Sequence, residues 1–323
     1  MRMYNIFVRL LTMLLLAAVI TGSACAFALE PLPMDDISYG PVPKDECYLS
    51  DTEYVDESIS VKIYKDRYAD TDYVYAHVKI SHPSQLRTMP ASIYKGPNKR
   101  AASYNFKNSS TTRGRFVASA ANAVISINGD YFTKQECKVV LRMGTQYRNM
   151  ADGLRDLLII DKQGNLSYLN APSKEDYAAY YEAHKENLYQ VFCFGPVLVE
   201  NGSSVLAMDY ENGYIGAQKA AQRTALCQLG ELEYMLVTSY GNQTKGNKGL
   251  TIPEFAQVCE IAGRQLKPDT GCLLAFNLDG GNSSTMNFKQ LDEKSGKLKY
   301  VKVNCPEIER FLSDIIYFAT LVK

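Results

Sequence analysis

The sequence has no tryptophan, only three histidines and no Cys-x-x-Cys pair. Scattered cysteines with so few histidines exclude the usual zinc ligand sets. His77, His82 and His184 stand in no setting for Ser-His-Asp hydrolysis, and no Gly-x-Ser-x-Gly elbow is present. Walker and Rossmann glycine loops are missing too. Net charge is also lacking: Lys+Arg and Asp+Glu are both 35. A balanced chain projects no broad basic field, so no nucleic-acid partner is expected. Hydrophobic residues at 46% and charged residues at 22% mark a globular chain with a sizeable core. Tyrosine is abundant at 23. Its apolar face and polar tip suit sugar surfaces, and equally suit filling strands.

Residues 1–28 read as a targeting segment. Arg2 and Arg9 give a positive start, Leu10 to Gly22 is uncharged and mainly apolar, and Ala26-Phe27-Ala28 has the small-x-small form of a cleavage site. Cleavage after Ala28 would release the chain. An uncleaved segment would anchor it to the membrane. Ser23-Ala24-Cys25 hints at lipidation, but Gly22 replaces the large aliphatic residue normally found there. Each option puts the remainder outside the cytoplasm, secreted or held on the outer membrane face. Seven cysteines follow Cys25, so at least one thiol stays free if the others pair.

Residues 29–55 are rich in Pro, Asp and Glu and read as a linker or draped arm. From 56 to 323 the pattern is one β-rich catalytic domain of the α+β class, with a few helices on mixed sheet. Ile59 to Tyr64 and Tyr73 to Ile80 alternate as a hairpin would. Helices are expected near 115–122, after Ser173, and after Thr251, where Glu254 completes a capping box.

Two apolar strands end in the same chemistry. One runs into Asn128-Gly129-Asp130, the other into Asn277-Leu278-Asp279-Gly280-Gly281. Each delivers a carboxylate beside glycines that let backbone approach a ligand. Two carboxylates across one gap are what glycosidic cleavage requires. Ser283 and Ser284 add hydroxyls, and the loop amides can form an anion nest. Asn-Gly and Asp-Gly are also common turn formers, so an ordinary turn remains an alternative at both places. Arg223, before Thr224 at a strand start, and Arg142 offer planar forks for phosphate. A surface arginine or a structural ion pair is the alternative for each.

Taken in order, these pieces resemble the phosphodiester glycosidase family. The resemblance runs from about Val124 to Phe318. It takes in Ile127-Asn128-Gly129-Asp130-Tyr131-Phe132, Leu141-Arg142-Met143-Gly144, Phe194-Gly195-Pro196-Val197-Leu198-Val199, Arg223-Thr224-Ala225 and Gly249-Leu250-Thr251-Ile252-Pro253-Glu254. It continues through Asn277-Leu278-Asp279-Gly280-Gly281, Glu309-Arg310 and Ser313-Asp314. Gln222, Cys227, Asn282 and Phe311 depart from the family's pattern, which bears on loop geometry and substrate preference.

The resemblance implies hydrolysis of a sugar-1-phosphodiester, such as one of N-acetylglucosamine, with release of free sugar. Asp279, Asp130 and Arg223 would be catalytic. Asn128, Gly129, Arg142, Thr224, Gly280, Gly281, Ser283 and Ser284 would bind substrate. No cofactor is required. Carboxylate clusters can hold a divalent cation such as calcium, but no calcium-loop spacing is visible. Two other functions stay open: a non-catalytic module for a cell-surface polysaccharide or teichoic-acid-like polymer, and a phosphodiesterase that cuts P–O.

Overall fold

Side-chain alternation builds the central sheet. In the Thr71–Ile80 strand, Val74, Ala76, Val78 and Ile80 enter one core, while Tyr73 and Tyr75 enter the core on the opposite face. The computed structural model describes residues 29–107, 109–134, 136–212 and 216–323. Two compact units divide the chain, Met1–Glu30 and Pro31–Lys323, and the fold is that of the second. The targeting segment expected over residues 1–28 lies outside the described residues. Among those described, no helix is long and apolar enough to cross a membrane.

A nine-stranded sheet forms the middle layer. Two five-stranded sheets share a core with one of its faces. The expected α+β class is what the structure has, although every pairing between described strands is antiparallel rather than mixed. Among the described residues, three α-helices cover the outer faces: α1 (Gly114–Ala121), α2 (Lys174–His184) and α3 (Ile252–Leu266). Phe255, Val258, Cys259 and Ala262 of α3 fill the second core of the nine-stranded sheet. The Thr251 hydroxyl accepts from the Glu254 amide at 3.3 Å, and the Glu254 carboxylate accepts from the Thr251 amide at 2.7 Å. Such a box contributes about 1 kcal/mol. Val117, Ala118 and Ala121 of α1 lie in the core behind the Asp314–Phe318 strand, and Tyr177 of α2 packs among Leu141, Leu157 and Val191.

The expected hairpin extends further than the apolar pattern. It pairs Ile59–Tyr68 with Thr71–Ile80, and the polar Lys65-Asp66-Arg67 stays in strand. Lys65 and Arg67 both reach Asp72, at 3.3 and 2.7 Å, so cross-strand charge replaces burial there. The domain edge expected at residue 56 falls inside the nine-stranded sheet, because Tyr48–Ser50 and Glu53–Val55 are its outer strands. Upstream of them, buried Arg87 donates to the carbonyls of Pro33 at 2.8 Å and Asp36 at 3.0 Å and to the Ser38 hydroxyl at 2.8 Å. All seven described cysteines are free thiols, six of them buried.

Candidate active site

Four strand ends converge. The Ile125–Asn128 strand pairs Asn128 with Ile315, at the start of the Asp314–Phe318 strand. The Leu274–Asn277 strand pairs Asn277 with Ala225, at the start of the Thr224–Gly230 strand. Asn128 joins the two pairs. Its amide donates to the carbonyls of Asp279 at 2.8 Å and Gly129 at 3.0 Å, and its oxygen accepts from the Thr224 hydroxyl and the Thr285 amide, each at 3.0 Å. Two donor and two acceptor positions are therefore all used inside the protein. The Thr224 hydroxyl also lies 2.9 Å from the Ser284 hydroxyl, and Ser284 donates to the Arg223 carbonyl at 2.8 Å. Asn128, Thr224 and Ser284, expected to touch substrate, form a buried bracket that fixes the two loops against each other.

Behind the bracket lies a buried ionic triad. The Arg142 guanidinium donates to Asp130 Oδ1 at 2.8 Å and to Asp314 Oδ2 at 3.4 Å, with no side-chain exposure. Its other bonds go to the Leu141 and Val191 carbonyls, and it stacks 3.9 Å over the Phe192 ring. Asp130 Oδ2 accepts from the Cys193 amide at 2.9 Å. Burial, joined by repulsion from Asp130, pushes the Asp314 carboxyl up to about 7, with Arg142 opposing. Gly129 is needed here, because a Cβ at that position would sit 2.7 Å from both Asp314 carboxylate oxygens. Arg142 thus holds carboxylates in place rather than presenting a fork to solvent.

Arg223 also turns away from the strand-end pocket. Its guanidinium donates to the backbone carbonyls of Leu250, Gly216 and Lys219 at 3.0, 3.2 and 2.5 Å. Burial lowers its pKa to about 10. Gly280 packs where a Cβ would meet the Gln222 carbonyl at 2.7 Å, and Gly281 takes a left-handed φ of 58° while its amide bonds the same carbonyl.

The open part of the site is a pocket of about 170 Å³ lined by Asp130, Tyr131, Arg155, Phe194, Asp279 and Arg310, with Lys134, Glu136 and Cys137 at its wall. Burial pushes the Asp279 carboxyl up to about 6, against lowering by the Ser283 hydrogen bond and by the Arg310 and Arg155 charges. Arg310 donates to the Ser283 hydroxyl at 3.3 Å and lies 4.8 Å over the Tyr131 ring. Tyr131 has a φ of 59°, a left-handed conformation that costs a non-glycine residue about 1 kcal/mol or more. Arg148 braces the turn beyond it by donating to the carbonyls of Phe132, Lys134 and Cys137. Arg155 lies 4.8 Å over the Phe194 ring. Asp130, Asp279 and Ser283 are therefore brought together, with Arg155, Arg310, Lys134 and Tyr131 as companions that sequence reasoning did not name for the site. Arg310 had a signal, since it stands in the Glu309-Arg310 match. Arg155 had none. No group of three metal-ligating side chains occurs among the described residues.

The catalytic domain of zebrafish N-acetylglucosamine-1-phosphodiester alpha-N-acetylglucosaminidase, auto-inhibited by its pro-peptide, aligns with a TM-score of 0.58 at 15% identity, covering 87% of this chain and 87% of that one. A hypothetical protein from Synechocystis aligns with a TM-score of 0.48 at 15% identity, covering 81% of this chain and 62% of that one. At such identities the likeness concerns the fold. A search of curated proteins finds no match. The family model for phosphodiester glycosidase matches residues 121–319, a span that contains every strand end of the pocket. The chain belongs to the phosphodiester glycosidase family, whose members are glycosidase-type hydrolases.

Proposed function

We propose that this protein hydrolyses the C1–O bond of a sugar-1-phosphodiester outside the cytoplasm, releasing free sugar and leaving the phosphate on the other product. The observation that carries the reading is the composition of the pocket: the desolvated carboxylate of Asp279, with Asp130 and Glu136 also in the lining, among Arg155, Arg310 and Lys134. Asp279, with its pKa near 6, is mostly ionised at neutral pH and still basic enough to accept a proton. Water attacks the anomeric carbon and gives its proton to Asp279. The C1–O bond breaks and its electron pair stays on the phosphate oxygen. A phosphate leaving group needs little protonation, so cations serve where other glycosidases use an acid. Arg310 and Arg155, which line the pocket, take that task in place of Arg142 and Arg223, which do not line it. Asp130, held by Arg142, stands at the pocket wall beside the oxocarbenium-like centre. Ser283 orients Asp279 and meets Arg310. Export rests on the character of residues 1–28.

The test uses residues 29–323 with UDP-N-acetylglucosamine and a panel of other sugar-1-phosphodiesters, assayed for reducing sugar. Asp279→Asn and Arg310→Ala are each expected to lose roughly 10²–10⁴-fold in kcat/KM. In oxygen-18 water the label is expected in the sugar. Label in phosphate would mean P–O cleavage. Full activity in Asp279→Asn would remove the assigned base.

A further inference from the structure

A second concavity lies outside the catalytic pocket. It is a groove of about 750 Å³, against about 170 Å³ for the pocket. Five cations line it, Lys99, Arg100, Arg115, Lys289 and Lys299, and no carboxylate does. Three of them are ion-paired with carboxylates that are not part of the lining: Arg115 with Glu309 at 3.3 Å, Lys289 with Asp45 at 3.1 Å, and Lys299 with Asp292. Among the described residues, Arg100 is bonded to neutral groups, the Ala120 carbonyl and the Asn122 amide oxygen, and stacks over Tyr39. Lys99 is exposed and has no partner among the described residues. A chain with zero net charge thus gathers excess positive charge on one concave face. Such a face concentrates polyanions.

The groove also carries an aromatic platform. Tyr94 and Phe116 stack on each other with centroids 4.8 Å apart and planes 13° apart. Both are half-buried, and Arg115 sits 5.1 Å over Phe116. Apolar ring beside cation is the chemistry of a unit that is part sugar and part phosphate. The groove is also linked to the catalytic pocket. Glu309, paired with the groove's Arg115, precedes Arg310, which lines the pocket. Strand pairing of Thr112–Arg113 with Phe311–Leu312 fixes that link.

We infer that this groove is a second binding site for an extended sugar-phosphate polymer, holding a chain whose end is presented to the catalytic pocket. Phosphates meet the lysines and arginines, and a sugar ring lies against the Tyr94–Phe116 platform. The groove has room for more than one repeat unit, which the pocket does not. The identity of the repeat unit rests on the phosphodiester reading of the pocket. The binding itself does not.

The experiment measures binding by calorimetry, in the Asp279→Asn background so that turnover does not intrude. The probes are glycosylated poly(glycerol phosphate), uncharged dextran and polyuridylate of matched length. The expected result is binding of poly(glycerol phosphate) alone, weakening as salt rises. The exposed double variant Lys99→Glu/Lys299→Glu should lose about tenfold or more in affinity, and its salt slope should fall by roughly 0.7 for each phosphate contact removed. Phe116→Ala should weaken the glycosylated polymer more than its deglycosylated form. Unfolding curves check that each variant is folded. Equal binding of dextran, tighter binding of polyuridylate, or unchanged affinity in the charge-reversed variant would each overturn the inference. Sugar release from small diesters without polymer binding defeats the groove alone. Polymer binding without any sugar release defeats the catalytic reading alone.

Discussion

Asp279→Asn should make the protein more stable while removing its activity. The carboxyl pKa rises from its ordinary 3.8 to about 6, chiefly through burial. That is about two units, or about 3 kcal/mol of strain in the ionised folded state. The sign follows from linkage. Below pH 4 the group is protonated in both folded and unfolded chains, and it costs nothing. Between pH 4 and 6 the unfolded chain ionises first, so the wild type loses stability. Above pH 6 the full penalty is present. Asparagine keeps an oxygen for the Ser283 hydroxyl and carries no charge to desolvate. The variant should therefore gain up to about 3 kcal/mol at pH 7.5 and nothing at pH 4. In a domain of this size the gain corresponds to a Tm rise of roughly 6 °C. Thermal melts of both proteins at the two pH values test this directly. A lower or equal melting temperature for the variant at pH 7.5 would refute the idea that Asp279 is held desolvated for chemistry.

Other perturbations separate scaffold from site. Arg142→Met leaves Asp130 and Asp314 facing each other in the core, and should cost about 3–5 kcal/mol at pH 7.5. The loss should shrink at pH 5, where Asp314, already pushed up to about 7, is protonated; urea unfolding at both pH values measures it. Asn128→Asp keeps acceptors for Thr224 and Thr285 but turns a carboxylate on the Gly129 and Asp279 carbonyls. It should cost about 1–3 kcal/mol in urea unfolding, whereas a sugar contact would appear as a KM change at unaltered stability. Gly129→Ala forces a methyl group against Asp314 and should cost about 1–3 kcal/mol by the same assay. If Asp279 is the base, kcat/KM should rise with pH and level off above about 6; a fall through that range would mean that it acts as an acid.

Local signals carried much of the fold. The Thr251 and Glu254 box, the alternation through Val74 to Ile80, and the polar ends of two apolar strands are each written within a few residues, and each is found where the pattern puts it. The division of labour among the polar residues was not legible, because it depends on what lies opposite. Val139–Arg142 is a strand buried along its whole length, so nothing in its alternation reveals that Arg142 points into the core. Asn128 meets Asp279, and Arg142 meets Asp314, across more than 150 residues of chain. Arg155 and Arg310 lie outside the regular strands, where no period marks a direction. The same physics explains why Arg142 and Arg223 are bonded within the protein. In a converging set of strand ends, an arginine on a strand or at its mouth is within reach of backbone carbonyls and buried carboxylates, and desolvation drives it to take them. In the proposed reaction the arginines that meet phosphate are Arg155 and Arg310, on the loops that line the pocket.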